Sequence, residues 1–319
     1  MNTSILPDRH AGASLLEMPA NAVHEPDSVE SCADLLRSWR ERSGTLGFRG
    51  GGTALGLGNP PRALDAVVST RKLDRVVEYA PEDQVAVVEA GLTLGRLQTL
   101  ARERGQWLGV DAPHAERATI GGLVAVGGFG PRRARYGAIR DLLLGVTLVR
   151  ADGAVARGGG KVVKNVAGFD LPKVVAGSLG TLGLIATVTL RLHPLPEASV
   201  TLVVSGLTAD EVGKCVLALR QAQLEPSSNV AVQSGGRFDL GVRLEGFGRG
   251  VERDAARLLE LGRGETGRNA QRAWQKLDES AAVGFWRRAE APRIEGTLRA
   301  RITALPTRLA EVEAAVAPL

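Results

Sequence analysis

Apolar and polar positions follow two rhythms along this chain, and the switches between them lay out its elements. Val29, Cys32, Leu35, Leu36 and Trp39 recur at helical spacing behind the N-cap candidates Asp27 and Ser28, so the spacing predicts a helix that Gly44 ends. Thr45-Leu46-Gly47-Phe48 reads as a short strand after it. Ala66-Val67-Val68, Val76 to Tyr79 and Val85 to Ala90 read as further strands, with a turn at Pro81-Glu82-Asp83 and a stop at Gly91. Thr93 caps a predicted helix that runs through Arg104 to Gly105. Leu142 to Arg150 and Ala154 to Arg157 flank Asp152-Gly153, a hairpin turn. Gly183 to Leu192 is a long alternating strand ending at His193-Pro194.

The order changes beyond Pro194-Leu195-Pro196. A strand at Val200–Ser205, a helix at Ala209–Gln221, strands at Asn229–Val232 and Phe238–Leu244, and then helices rich in arginine and alanine suggest a smaller α+β unit. The expected division is a first domain at 1–196 and a second at 197–319.

Composition narrows the function. The 319 residues suffice for two domains, and 44% hydrophobic residues can build cores. Of the 40 glycines, 27 precede residue 197, which places backbone-shaped sites in the first domain. A net charge of +5 suits an anionic ligand or an acidic partner. Dispersed arginines, only 4% aromatics and no nucleic-acid-binding signature argue against nucleic acid. Cys32 and Cys215 stand alone, which rules out a zinc or iron–sulfur ligand set and a disulfide framework and fits a reducing compartment. Asp8, Arg9 and Glu17 interrupt any signal-peptide core, and no apolar run approaches the roughly 18 residues of a membrane span. The expectation is a soluble, cytoplasmic protein that a membrane-bound partner can still recruit.

The chemistry concentrates in glycine clusters. Phe48-Arg49-Gly50-Gly51-Gly52-Thr53 comes directly after a strand, and consecutive N–H groups in such a turn form a concave anion site, to which Arg49 adds a planar cation. The segment reads either as a pyrophosphate cradle or as a flexible glycine loop. It is not a P-loop, because Thr53-Ala54 comes after Gly52. It is not a Rossmann fingerprint, because Leu55 stands where the third glycine belongs. The flavin-binding folds outside the Rossmann class remain. A second cluster runs from Ala118 to Gly130, with Arg132, Arg133 and Arg135 behind it. It reads either as a bed for a flat ring whose negative charge the arginines offset, or as a turn with a solvated basic patch. A third runs from Gly158 to Leu171 and continues through Gly177-Ser178-Leu179-Gly180-Thr181-Leu182-Gly183. There Asn165 and Asp170 are candidates to organise the loop, and Lys161 and Lys164 face either a cofactor or water.

Gly-Gly-Gly-Thr at 50–53, Thr-Ile-Gly-Gly-Leu-Val-Ala at 119–125, Lys-Asn-Val-Ala-Gly-Phe-Asp-Leu at 164–171 and Gly-Ser-Leu-Gly-Thr-Leu-Gly at 177–183, in this order, resemble the FAD-binding domain of the vanillyl-alcohol oxidase and p-cresol methylhydroxylase (PCMH-type) superfamily. The closer likeness is to the FAD-binding subunit of bacterial glycolate oxidase, over roughly residues 15 to 196. The resemblance implies a PCMH-type FAD-binding domain of two α+β subdomains with FAD between them, and a smaller C-terminal α+β cap domain. It implies pyrophosphate on Arg49, Gly50, Gly51, Gly52 and Thr53. It implies the flavin side along Ala118, Thr119, Gly121 and Gly122, with Ala125 and Gly128 close by, and backbone from Gly180 through Gly183 to Ile185 against the ring or ribityl chain. Thr53 stands where some relatives attach FAD through a histidine, so the cofactor is expected to be non-covalent.

Departures bear on mechanism. Oxidising a hydroxy acid needs a base for the hydroxyl proton and a cation for the carboxylate. The four histidines are His10, His24, His114 and His193 and the two tyrosines Tyr79 and Tyr136, so the cap has neither residue type. No catalytic residue is therefore assigned, and no metal is expected. Cap arginines Arg287, Arg288 and Arg293 are candidates for the carboxylate. His114 reads as structural or exposed and His193 as a boundary residue. Trp274 and Trp286, in an expected helical stretch, read as core or partner contacts. Three readings stand: a flavoprotein subunit of glycolate oxidase working with a catalytic FAD subunit and an iron–sulfur subunit; a stand-alone FAD oxidoreductase of a small hydroxy acid; and an assembly subunit with a vestigial flavin site.

Overall fold

A computed structural model describes residues 14–15, 18–161, 168–261, 273–294 and 302–316. The chain divides into two compact units, residues 1–129 with 137–194 and residues 130–136 with 195–319.

In the first unit, β1 (Ala22–His24), β2 (Leu46–Arg49) and β3 (Ala66–Ser69) form a parallel sheet in the order β1-β3-β2. The connection between β1 and β2 is α1 (Val29–Glu41). Ser28 caps it as expected: its hydroxyl accepts the N–H of Ser31 at 3.1 Å, and the Ser31 hydroxyl accepts the N–H of Ser28 at 3.1 Å. Reciprocal caps of this kind are worth about 1 kcal/mol. Cys32, Ala33 and Leu36 are the buried side of the helix, packed on Val68 and Leu73 and on Val149, Leu184 and Ala186 of a second sheet.

That second sheet holds β4 (Val76–Ala80), β5 (Val85–Glu89), β6 (Leu143–Val149), β7 (Val155–Gly159) and β8 (Leu184–Arg191), all antiparallel, in the order β7-β6-β8-β5-β4. The Asp152-Gly153 turn closes the β6–β7 hairpin, with Gly153 at φ 76° and the Asp152 carboxylate accepting the N–H of Ala154 at 3.0 Å. The central strand β8 is buried on both faces. Leu184 and Ala186 meet α1, while Ile185, Val188 and Leu190 join the larger core with α2 (Leu94–Arg102) and α3 (Ile120–Val126). The residue at the end of β5, Glu89, is buried and takes the Arg75 side chain at 2.7 Å and its N–H at 2.8 Å. A further short helix, α4 (Leu171–Val175), starts at Asp170, whose carboxylate accepts the N–H of Lys173 at 3.2 Å.

The second unit is α+β. Its sheet runs β10 (Ser228–Ser234), β11 (Arg237–Gly246), β9 (Ala198–Leu207) and the pair Gln275–Lys276, all antiparallel. Helices α5 (Ala209–Gln221), α6 (Gly248–Leu261) and α8 (Leu309–Val316) pack on one core with Leu202, Val204, Leu240 and Val242. Helix α7 (Glu279–Ile294) packs Phe285 and Trp286 on Val203 in a separate cluster. Trp274 and Trp286 are both buried core residues. Trp274 precedes a two-residue strand rather than lying in a helix, because it fills the α5–α6 core.

Candidate functional site

Strand β2 delivers half-buried Arg49 to the head of the first glycine run, and its carbonyl accepts the N–H of Thr70 at 2.9 Å. Immediately beyond Arg49, two loops approach each other closely. A Cβ on Gly50 would stand 2.1 Å from the Thr119 hydroxyl, and one on Gly51 would stand 1.6 Å from the Arg117 carbonyl oxygen. Gly52 needs glycine for a different reason, its φ of 71°. Among the described residues, the N–H groups of Gly50, Gly51 and Gly52 donate to no backbone carbonyl or side chain. Three adjacent amides left open beside an arginine are the donor set of an anion site.

The partner segment is held firmly. His114, at φ 55°, accepts the N–H groups of Arg117 and Ala118 at 2.8 and 2.7 Å, and the Ala118 carbonyl accepts Leu94 N–H at 2.9 Å. His114 is itself exposed and contributes through its carbonyl. Ala118 and Thr119 are buried.

Within the second cluster, Ile120–Val126 form helix α3. Thr119 caps α3, accepting Gly122 N–H at 3.3 Å. The N–H groups of Ile120 and Gly121 donate to the carbonyls of Leu92 and Ala90 at 2.8 and 2.7 Å, and a Cβ on Gly121 would stand 2.6 Å from that of Ala90. At the other end Gly127 turns left-handed at φ 65°, and the N–H of Gly128 returns to Leu123 at 2.8 Å. The fourth motif completes this cap: Gly177 and Leu179 donate to the carbonyls of Val124 and Ala125 at 2.9 and 2.8 Å. Leu179 holds φ at 53°, which a leucine adopts only at a cost of about 1–2 kcal/mol. Beside it, Gly180 sits with its Cβ position 3.5 Å from the ring of Phe48, the neighbour of Arg49. Leu57, Leu179 and Leu182 stay 40–47% exposed, and Leu179 lies 3.4 Å from the Cβ position of Gly58.

The fold thus gathers Arg49 to Gly51, Ala118 to Gly122, Ala125, Gly128 and Gly180 into one set of interlocked segments, with Gly52 and Thr53 following in the chain. Gly183 lies instead just before β8 and Ile185 within it: a Cβ on Gly183 would meet the Val149 carbonyl at 2.5 Å, and the Ile185 side chain is core. Lys161 pairs with Glu78 at the surface; Lys164 and Asn165 lie outside the described residues. Neither reading of the basic patch holds for Arg132, because its guanidinium clasps the buried Glu245 of the second unit at 2.7 Å. Burial alone would raise the Glu245 pKa, but the Arg132 hydrogen bond and charge, with Ser227 and Arg243, hold it below its ordinary value of 4.5. Of the cap arginines, Arg287 and Arg288 are exposed, and Arg288 pairs with Asp239 at 3.7 Å. The side chain of Arg293 lies outside the described ones.

The residues therefore fit a large, partly apolar anion of the FAD kind. Residues 20–159 match the FAD binding domain family. The chain carries an FAD-binding domain of the PCMH type. Over 202 residues, 63% of this chain and 45% of the relative, it is 34% identical to the D-lactate dehydrogenase of Archaeoglobus fulgidus. Over 213 residues, 66% of this chain and 57% of the relative, it is 34% identical to the glycolate oxidase subunit GlcE of Escherichia coli. The chain spans about half the length of the curated relatives it matches. In fold it resembles alkyldihydroxyacetonephosphate synthase, with a TM-score of 0.67 at 18% identity over 85% of this chain and 54% of that one. Among the described residues, no helix is long and apolar enough to cross a membrane.

Proposed function

We propose that this chain is the FAD-binding flavoprotein subunit of a glycolate oxidase, an FAD-dependent oxidoreductase that converts a 2-hydroxy acid to a 2-oxo acid, glycolate to glyoxylate. The observation that carries the flavin part is the convergence of separated glycine motifs on open amides beside Arg49. The relative named a glycolate oxidase subunit supports the rest.

In this reading Arg49, Gly50, Gly51, Gly52 and Thr53 hold the pyrophosphate. Ala118, Thr119, Gly121, Gly122, Ala125 and Gly128 line the flavin side. Because the amides of Ile120, Gly121 and Gly122 are already engaged, that lining acts through shape and through the orientation of α3. Gly180, Gly183 and Ile185 set the backbone on the remaining side. Bound FAD supplies a hydride acceptor for the substrate carbon. Thr53 lacks the ring nitrogen through which a histidine would attach the cofactor, so binding is non-covalent. The two cysteines of this chain cannot ligate an iron–sulfur cluster, so electrons leave to a partner, in this reading a catalytic FAD subunit and an iron–sulfur subunit, or to a diffusible acceptor.

The test is flavin content and then a glycolate assay with an artificial acceptor. The expected results are one FAD released on denaturation, and turnover once the partner subunits are added. Full turnover by the isolated chain would replace the subunit role with a stand-alone enzyme. Protein that stays colourless after incubation with FAD would end the flavin reading.

A further inference from the structure

Residues 130–136 are a short excursion: the chain leaves the first unit after Phe129, joins the second unit and returns to the first at Gly137. Both ends are pinned in the first unit. The N–H of Ile139 donates to the Gly128 carbonyl at 3.0 Å, and the N–H of Ala138 donates to the Asp141 carboxylate at 2.9 Å. Glycines stand at the two joints, Gly130 and Gly137, the latter at φ 79°. Between them Arg133–Tyr136 make one helical turn, and the N–H groups of Arg133, Arg135 and Tyr136 donate to carbonyls of the same segment. A single turn does not keep its shape alone, so its order depends on what holds it down.

The hold is at Glu245, on β11. Its carboxylate, 2% exposed, accepts Arg132 through Nε at 3.0 Å and Nη2 at 2.7 Å and the Ser199 hydroxyl at 3.4 Å, and its carbonyl accepts Nη1 of Arg135 at 2.7 Å. Apolar burial adds little. No residue from 130 to 136 is buried, and among the described residues none of them belongs to an apolar core of either unit. That balance makes the segment releasable. A buried ion pair returns in desolvation much of what its attraction supplies, so lifting Arg132 off Glu245 costs little once water reaches both charges. Removing one partner is different, because the other is then left desolvated whenever the segment is down. The pinned ends leave a short loop with little conformational freedom to gain on opening, which favours the closed form.

We propose that residues 130–136 are a strap that opens and closes on the second unit while both units stay folded, with Glu245 as its latch. Opening hinges at Gly130 and Gly137, breaks the Arg132 and Arg135 contacts together, and brings water to the Glu245 carboxylate. The strap does not depend on the flavin reading proposed above.

The experiment is hydrogen exchange of the full chain in urea below its unfolding transition, read by mass spectrometry on peptides covering 130–136, β9 and β11. Wild type, Glu245→Gln, Arg132→Ala and Arg132→Lys are compared. In wild type the strap amides are expected to exchange at least about tenfold faster than those of β9 and β11. They should do so with almost no urea dependence, because a local opening exposes little surface, while the strand amides show the full dependence of global unfolding. Glu245→Gln and Arg132→Ala speed strap exchange by about 10- to 100-fold, the worth of one charge-assisted pair, and Arg132→Lys falls between them and wild type. Strap amides that share the rate and urea dependence of β11 overturn the proposal, since the segment then opens only when the second unit unfolds. Strap exchange unchanged in both Glu245→Gln and Arg132→Ala overturns the latch. Should a variant fail to fold, the urea dependence in wild type decides.

Discussion

Replacing Gly51 with alanine separates two explanations of the glycine run. If the glycines only let a ligand approach the backbone, one methyl group disturbs the ligand and leaves the apoprotein intact. The loop geometry says otherwise. The added Cβ would stand 1.6 Å from the Arg117 carbonyl oxygen, where no contact under 3.0 Å is tolerated, so the two loops must part by the difference of about 1.4 Å. The obstacle is main chain, and that main chain is tied down by His114 and Leu94, so the strain has no soft outlet. Overpacking of this kind costs about 1–3 kcal/mol. Gly105→Ala is the control: φ is 64° with nothing within 4 Å, so it carries only the left-handed penalty of about 1–2 kcal/mol, far from the cradle. Urea unfolding of both apoproteins and flavin titration of both are the assay. Both variants are expected to lose comparable stability, and only Gly51→Ala to lose FAD affinity, by at least about tenfold for 1.4 kcal/mol of misalignment. An apoprotein of Gly51→Ala as stable as wild type refutes the loop–loop account, whatever happens to FAD.

Glu245→Gln is expected to cost about 1–3 kcal/mol at neutral pH, because it leaves the Arg132 guanidinium part-buried opposite a neutral amide. Glu245 has its folded pKa below the ordinary 4.5, so its contribution is complete above 4.5 and disappears as pH falls through the lower folded value; the gap in urea midpoint between wild type and variant should close in acid, and a gap that persists there contradicts the ion pair. Burial, with Glu89 nearby, pushes the Cys32 thiol up to about 12, so a thiol reagent should label half-buried Cys215 alone in the native protein and both cysteines in denaturant; two rapidly labelled native thiols would contradict the α1 packing.

Local signals carried much of the fold. Ser28 with the Val29-to-Trp39 stripe gave α1, Thr93 gave α2, Asp152-Gly153 gave the β6–β7 hairpin, and the capping box of Thr208 and Glu211 starts α5 where the sequence placed it. Each depends on residues a few positions apart. Helix α3 was obscured because Gly121 and Gly122 each cost about 1 kcal/mol in a helix and drew attention as glycines. The contrary signal was present: Thr119 stands three residues before Gly122, and Ile120, Leu123 and Val124 share one buried face. The clasp of Arg132 on Glu245 was out of reach, since 113 residues separate them and only the folded sheet sets their register.

The same contrast governs the site. Glycine density singled out the proposed cradle in sequence, and the structure gives the glycines a further reason. At Gly50, Gly51 and Gly121 the space of the missing side chain is filled by Thr119, Arg117 and Ala90, residues of this chain. Glycine there permits two loops to touch. The touching holds the chain in a path where three successive amides find no carbonyl. Unsatisfied amides are expensive in a folded protein unless something else accepts their hydrogen bonds. The proposed anion site is therefore a consequence of how tightly the loops pack. Substitutions in the run should damage the scaffold and the binding together, and a variant that lost FAD with its apoprotein unaltered would have to lie at Arg49, whose side chain rather than backbone faces the ligand in the proposed arrangement.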